Sequence, residues 1–243
     1  MKKLCFTCVV LLLLTASALF LLRFPDFGAQ GGQPSSEEDA TRPQDLPENP
    51  DPEDSFYLVP IEEGDAVYTR IYGTSLPADA SLELSELRYV HVLHADAEGV
   101  IHEGELIVNR AIAEDVLKIF RTLYEERYPI EKMRLIDDYD ADDERSMSDN
   151  NTSAFNYRVI KGTDRLSRHA LGFAVDINPL YNPYVGKDAV QPAVAEAYAD
   201  RSADFPYKLV EGDLCWSLFA EYGFTWGGAW ENHKDYQHFE RAE

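Results

Sequence analysis

The sequence predicts an α+β fold, because strand and helix patterns are mixed along the chain beyond Ser55. Short runs rich in β-branched and aromatic residues indicate strands, whereas longer stretches with apolar residues three or four positions apart indicate helices. The two patterns do not alternate strictly, which argues against a doubly wound parallel sheet. No internal repeat is present, so a solenoid or propeller is not expected.

The first predicted element is a hairpin of Arg88–His94 and Glu105–Asn109, joined through a turn around Asp96–Gly99. A core-packed helix over Ala111–Tyr128 follows, since its apolar residues recur at helical spacing and Pro129 ends the pattern. The other predicted elements are strands at Lys132–Ile136, Phe173–Ile177 and Tyr236–Glu240, and a helix at Asp213–Tyr222 that Gly223 ends.

Residues 1–24 have the pattern of a membrane segment. Lys2 and Lys3 precede 19 uncharged residues, Leu4–Leu22, and this length is close to the roughly 20 residues that span a bilayer. The segment is either an uncleaved signal anchor or a long signal peptide. In both cases the chain beyond Arg23 is expected outside the cytoplasm, tethered to the membrane or secreted.

Residues 25–54 are predicted to form a disordered linker. They include six prolines and nine acidic residues, with few large apolar side chains to bury. The remaining segment, 55–243, is then the folded domain. With 45% hydrophobic residues the chain can build a core, and Cys215 is the one cysteine outside the membrane segment, so no disulfide is expected within the domain.

The charge balance excludes one class of partner. The chain has 22 Lys and Arg against 44 Asp and Glu, a net charge of −22. Proteins that bind nucleic acid place basic residues on the phosphates, so a nucleic-acid partner is not expected. The sequence does not indicate any protein partner.

Two short segments, Ser167–Asp176 and Asp235–Glu240, carry the residues suited to chemistry. They supply two imidazoles and a carboxylate, and a catalytic zinc takes three such ligands with a fourth place open to water. The gap from His169 to Asp176 suits a loop that enters a strand, with Gly172 allowing a tight backbone path and Ala174 leaving room beside a metal.

Asp235 lies three residues before the second histidine and is a candidate to take a proton from a metal-activated water. Positions i and i+3 of a regular strand face opposite sides, so this role requires a bend before the strand. The alternative is that Asp235 merely caps a turn. The other histidines are interpreted as ordinary surface or strand residues: His91, His94, His102 and His233.

The pattern Ser-x-His-x-x-Gly-x-Ala-x-Asp at 167–176, followed by Asp-x-x-His-Phe at 235–239, resembles the M15 family of zinc peptidases. These enzymes are D-alanyl-D-alanine carboxypeptidases and L-alanyl-D-glutamate endopeptidases that cut peptidoglycan stem peptides. The segments Asn150–Arg158 and Gly223–Gly228 also look like members of this family, and the resemblance covers roughly Leu87–Glu240. It implies a compact α+β domain whose central antiparallel sheet carries the zinc site.

By this resemblance, His169, Asp176 and His238 are the Zn²⁺ ligands and Asp235 is the general base. Arg158, in the position of an arginine that relatives carry before the first ligand, would hold the scissile carbonyl oxygen and the oxyanion. Hydrolysis would proceed through attack of a zinc-activated water, without an acyl-enzyme.

One position departs from several relatives, which have glutamate where this chain has Asp235; Glu231 and Glu240 are the alternatives for the base. Ser167 is expected to orient the backbone or a ligand. Four aromatic residues either line a substrate groove or belong to the core: Tyr181, Tyr184, Trp226 and Trp230.

The sequence therefore predicts a zinc metallopeptidase acting on peptidoglycan stem peptides, of the carboxypeptidase or the endopeptidase type. A serine D,D-peptidase is excluded, because no serine is followed by lysine at the Ser-x-x-Lys spacing. The alternatives are a non-catalytic wall-binding module on the same fold and a purely structural domain near the membrane.

Overall fold

The computed structural model describes residues 54–242, which lie within one compact unit. The predicted membrane segment at 1–24 and all but the last residue of the predicted linker lie outside the described residues. Among the described residues, no helix has the length and apolar character needed to cross a membrane.

The N-terminal half is built on the predicted hairpin. Strands β2 (Leu87–Ala95) and β3 (Ile101–Asn109) pair antiparallel along their whole length, and β1 (Tyr57–Pro60) pairs with the other edge of β2. Asp96 stabilises the turn, because its carboxylate accepts the backbone N–H groups of Glu98 and Val100. The hairpin prediction is confirmed.

Helix α2 (Ala113–Glu125) packs on this sheet. Its apolar stripe, Val116, Ile119, Phe120 and Leu123, is almost completely buried, as the helical spacing predicts. The helix is shorter than predicted at both ends, because the Asn109 side chain accepts the Ala111 N–H before the first turn and Arg127 turns the backbone left-handed after the last.

The remaining elements are short. The helices are α1 (Ala66–Ile71), α3 (Asp143–Ser148) and α4 (Leu214–Glu221), with single 3-10 segments at Leu84–Glu86, Ile136–Tyr139, His169–Leu171, Ala193–Tyr198 and Gly227–Ala229. The strands are β4 (Lys132–Met133), β5 (Asn151–Thr152), β6 (Ala174–Asp176), β7 (Tyr184–Val185), β8 (Val190–Gln191), β9 (Thr225–Trp226), β10 (Lys234–Asp235) and β11 (His238–Glu240).

The α+β class and the antiparallel pairing are confirmed, but a single central sheet is not. Within residues 54–242 the strands form antiparallel sheets in the orders β1-β2-β3, β10-β7-β8 and β6-β11-β9, and β4 pairs parallel with β5. The strand expected at Lys132–Ile136 stops at Met133, because a 3-10 turn begins at Ile136. Strands of two or three residues cannot extend one sheet across the domain.

The sheet β6-β11-β9 is fixed to the core by one of its faces. Val175 of β6 and Phe239 of β11 lie opposite each other and are buried, and the Phe239 ring stacks on Phe219 of α4 with ring centroids 4.2 Å apart. Since side chains alternate along a strand, the neighbouring residues Asp176 and His238 face the other side. The hydrophobic core therefore holds the strands that carry two of the predicted ligands.

Candidate metal centre

Asp176 and His238 are direct neighbours across the β6–β11 pair. The backbone of Asp176 is held on its second side as well, because it exchanges N–H···O bonds of 2.8 and 3.1 Å with Ser153. Two residues that are distant in sequence are thus brought together by strand pairing, with little freedom to move apart.

His169 reaches the same place from the 3-10 turn His169–Leu171. The Ser167 hydroxyl accepts the Ala170 N–H at 3.0 Å and so stabilises the start of this turn. Gly172 then takes a left-handed conformation with φ of 74°, and the chain enters β6. The spacing predicts a loop that leads into a strand, and the structure has this arrangement. Ser167 contacts the backbone of the turn, which is one of its two expected roles.

The three predicted ligands form a tight group. His169 Nε2 lies 3.3 Å from Asp176 Oδ2, and His238 Nδ1 lies 2.9 Å from Asp176 Oδ1. The two imidazole nitrogens, His169 Nε2 and His238 Nδ1, are 3.2 Å apart. In the part of the chain that the structure describes, no other group of three His, Cys, Asp or Glu residues has this arrangement.

Each histidine is oriented through its other ring nitrogen. His169 Nδ1 lies 2.5 Å from the Ala154 carbonyl oxygen, which only accepts, so Nδ1 carries the hydrogen and Nε2 faces the group. His238 Nε2 lies 3.2 Å from Glu240 Oε2, which leaves Nδ1 to face Asp176. Such outer hydrogen bonds are typical of histidines that bind metals.

The donor set fits a zinc ion. Two imidazole nitrogens and one carboxylate are the ligands of many catalytic zinc sites. Around a tetrahedral ion with ligands at about 2.1 Å, neighbouring donors lie about 3.4 Å apart. The donor separations in the structure, 2.9 to 3.3 Å, are close to this value. His169, Asp176 and His238 could therefore hold a metal with only small adjustments.

The charges of the group favour a cation. Burial lowers the pKa of His238, but its hydrogen bonds to Asp176 and Glu240 outweigh burial and raise the pKa to about 10. Burial raises the pKa of Asp176, yet the two histidines hold it well below its usual range. Without a metal, a proton on His238 therefore balances the Asp176 carboxylate, and a divalent ion would take the place of that proton.

Asp235 lies beside this group. It ends β10, and Tyr236 and Gln237 separate it from β11, so the chain provides the bend that a role beside His238 requires. A Cβ atom placed on Gly227 would lie 2.8 Å from the Asp235 Cβ and 3.3 Å from the His238 Cβ, so both side chains start next to Gly227.

The carboxyl group of Asp235 is electrostatically coupled to the candidate ligands. Burial raises its pKa to about 6; His238 opposes this rise and Asp176 adds to it. Gln237 donates from Nε2 to Asp235 Oδ1 at 3.2 Å. The Gln237 Oε1 atom is buried and has no hydrogen-bond partner among the described residues.

Arg158 is held close to the His169 loop, but its side chain contacts Asp143 at the start of α3. Asp143 also accepts a hydrogen bond of 2.9 Å from Asn156, whose own N–H approaches the His169 carbonyl oxygen at 3.4 Å. Of the alternative bases, Glu240 is bonded to His238 and Glu231 is exposed. The structure brings Asp235 and the three ligand candidates together, whereas Arg158 is bound by an acidic residue.

The four aromatic candidates differ in position. The Trp230 ring lies 5.4 Å from the His238 ring and 5.1 Å from that of His233, so it borders the site. Tyr184 contacts His233. Trp226 is buried and belongs to the protein interior. Tyr181 is half-buried and packs against the aromatic rings of Tyr198 and Tyr207.

Sequence reasoning missed three contributors to the site: the Ala154 carbonyl, the Gln237 amide and the contact of Glu240 with His238. The last had a visible signal, since residues two apart on a strand lie on the same face. The carbonyl and the amide had none, because their partners are fixed only by the fold.

Comparison with known families supports the interpretation of the site. Residues 161–241 match the M15 peptidase family model described as D-alanyl-D-alanine carboxypeptidase. The resemblance to M15 peptidases is thereby confirmed for this segment, the last third of the chain, which contains His169, Asp176, Asp235 and His238. Arg158 lies just before it. No curated protein and no solved structure matches the chain.

Proposed function

We propose that the protein is a zinc-dependent peptidase that hydrolyses peptidoglycan stem peptides. The observation that carries this proposal is the convergence of His169 Nε2, Asp176 and His238 Nδ1 inside the segment that matches a D-alanyl-D-alanine carboxypeptidase family. The family description favours removal of a terminal D-alanine over cleavage between L-alanine and D-glutamate.

A zinc ion held by His169, Asp176 and His238 would lower the pKa of a water molecule toward about 7 and polarise the scissile carbonyl. Asp235 would take the proton of the attacking water and deliver it to the leaving amine. Its raised pKa suits this exchange, because a carboxyl group with a pKa near neutrality both accepts and releases a proton readily.

The other polar groups assist in positioning. Gln237 would restrain the Asp235 carboxylate through its hydrogen bond to Oδ1. Arg158 would steady the oxyanion if its guanidinium turned from Asp143 toward the substrate. Trp230 offers a half-buried aromatic face next to His238 for the stem peptide.

The N-terminal sequence supports an extracytoplasmic place of action and access to the cell wall. A membrane segment at 1–24 and a linker at 25–54 would hold the peptidase domain outside the cytoplasm, within reach of the cell wall. Cleavage of the segment would release it as a secreted enzyme.

The test combines metal content and product analysis. We expect about one zinc per purified chain, and we expect purified muropeptides to lose the mass of one alanine residue as free D-alanine is released; His238→Ala serves as the inactive control. Cleavage after L-alanine would identify the endopeptidase type. Zinc without any product would favour a wall-binding module, and a chain that binds no zinc would refute the proposal.

A further inference from the structure

Glu240 lies on the same face of β11 as His238, two residues further along. Its Oε2 atom is 3.2 Å from His238 Nε2, the ring nitrogen that faces away from Asp176. The imidazole is therefore held between two carboxylates, one at each nitrogen. Only the Asp176 side belongs to the predicted ligand group.

The neighbouring strands leave room for this contact. Across the sheet from Glu240 lie Ala174 of β6 and Thr225 of β9. Ala174 is completely buried and offers only a methyl group, so the longer Glu240 side chain can bend back toward His238. The Glu240 side chain is 31% exposed and His238 8%, so water competes little for the imidazole end of this hydrogen bond.

We propose that Glu240 is the positioning residue of the metal centre: it accepts the Nε2–H of His238 and thereby presents the Nδ1 lone pair to the metal. This inference rests on the proposed zinc site. A neutral imidazole carries one hydrogen, and the nitrogen that donates it determines which nitrogen can bind a metal. The Ala154 carbonyl plays the same role at His169: it accepts the Nδ1–H, which leaves Nε2 to bind the metal.

The same geometry argues against Glu240 as the general base. A base must reach the water beside the metal, whereas Glu240 is bonded to the nitrogen on the far edge of the ring. Glu240 therefore acts through His238, and its loss should affect metal binding before it affects the chemical step.

The test compares four variants of the purified full-length protein. Glu240→Gln keeps the length and an acceptor oxygen but loses the charge, whereas Glu240→Asp keeps the charge but is too short to reach. Glu240→Ala loses both. The control is Glu103→Gln, an exposed glutamate on β3, far along the chain from the ligands.

Zinc affinity is measured by competition with a chelator. We expect Glu240→Ala and Glu240→Asp to bind zinc about 10 to 100-fold more weakly than wild type, the usual effect of losing such a partner. Glu240→Gln and Glu103→Gln should bind close to wild type. If Glu240→Asp bound normally and Glu240→Gln did not, the carboxylate would act through its charge, and positioning would be refuted.

A second measurement does not depend on affinity. In the zinc-loaded protein, nitrogen NMR should show the metal at His238 Nδ1 and a slowly exchanging proton on Nε2, preserved in Glu240→Gln and fast-exchanging in Glu240→Ala. Equal spectra and affinities for wild type and Glu240→Ala would overturn the Glu240 proposal alone. A wild-type chain that binds no zinc would overturn the proposed function and this inference together. Zinc binding without peptidase activity, with weaker zinc binding in Glu240→Ala, would overturn the proposed function and support this inference.

Discussion

Gly172 packs directly against the backbone of Asn109, the last residue of β3. The Asn109 N–H donates to the Gly172 carbonyl oxygen at 2.8 Å, and the Asn109 side chain donates to the Leu171 carbonyl oxygen at 3.1 Å. A Cβ atom on Gly172 would lie only 2.5 Å from the Asn109 nitrogen. The long hairpin of the N-terminal half thus fixes the turn that carries His169.

This contact predicts that Gly172→Ala disrupts the metal centre. Its left-handed φ alone costs a non-glycine residue about 1 kcal/mol or more, and the clash with Asn109 adds to that cost by pushing the turn away. We expect lower stability in denaturant unfolding and weaker zinc binding. Gly162→Ala is the matched control, because Gly162 has a similar φ of 81° and open space around it. Equal effects of the two variants would argue against a role of the Gly172–Asn109 contact in positioning His169.

Removal of either imidazole should abolish the metal centre. We expect His169→Ala and His238→Ala to lose both bound zinc and activity, because two remaining protein ligands do not hold a catalytic zinc firmly. Zinc per chain and product release are measured on the same samples. His102→Ala removes a half-exposed imidazole that pairs with Asp96 and should retain both properties. A His238→Ala chain with full zinc content would contradict the ligand assignment.

Asp235→Asn should separate metal binding from catalysis. The asparagine keeps an oxygen for the Gln237 amide and does not remove a ligand, so zinc content should be unchanged. Loss of the proton-accepting group should lower the turnover number about 10² to 10⁴-fold. Steady-state kinetics with a purified muropeptide provide the measurement. A variant that keeps most of its rate would remove Asp235 from the mechanism.

Zinc binding should release close to one proton per chain near pH 7. In the metal-free site the pKa of His238 is raised to about 10, so Nδ1 is protonated at neutral pH and must lose its proton to bind a metal. Because this competition weakens as pH rises toward 10, zinc affinity should increase up to about tenfold per pH unit. Titration calorimetry in buffers of different ionisation enthalpy measures the release; a buffer-independent enthalpy would contradict it.

His94 should make the fold sensitive to acid. Its ring is 3% exposed, its Nδ1 lies 2.7 Å from the Ile130 carbonyl oxygen, and burial lowers its pKa to about 4. The unfolded chain therefore protonates this imidazole near pH 6.5, whereas the folded chain protonates it only near pH 4. The free energy of unfolding is highest above pH 6.5 and falls as the pH falls toward 4. The loss from this group is on the order of 3 kcal/mol.

Denaturant unfolding at several pH values tests this prediction. His94→Asn should lose less stability between pH 6.5 and 4 than wild type, because it has no ring to protonate. Parallel acid curves for wild type and His94→Asn would show that protonation of His94 does not destabilise the fold.

The sequence by itself determined the local elements and the chemical type of the site. The hairpin and α2 follow from patterns within about twenty residues, where side-chain periodicity reports burial directly. The two ordered motifs were enough to predict the types of metal ligand and the M15 resemblance, because both depend only on residue identity and spacing.

Only the tertiary structure decided how these residues meet. The division into small sheets, the bend after Asp235 and the choice of Nδ1 on His238 depend on contacts between segments far apart in the chain. Asp176 and His238 become neighbours through one strand register, and a shift of that register by a single residue would turn His238 into the core and Phe239 into the site. No local pattern encodes that register; it is set by the packing of Val175, Phe219 and Phe239 in the core.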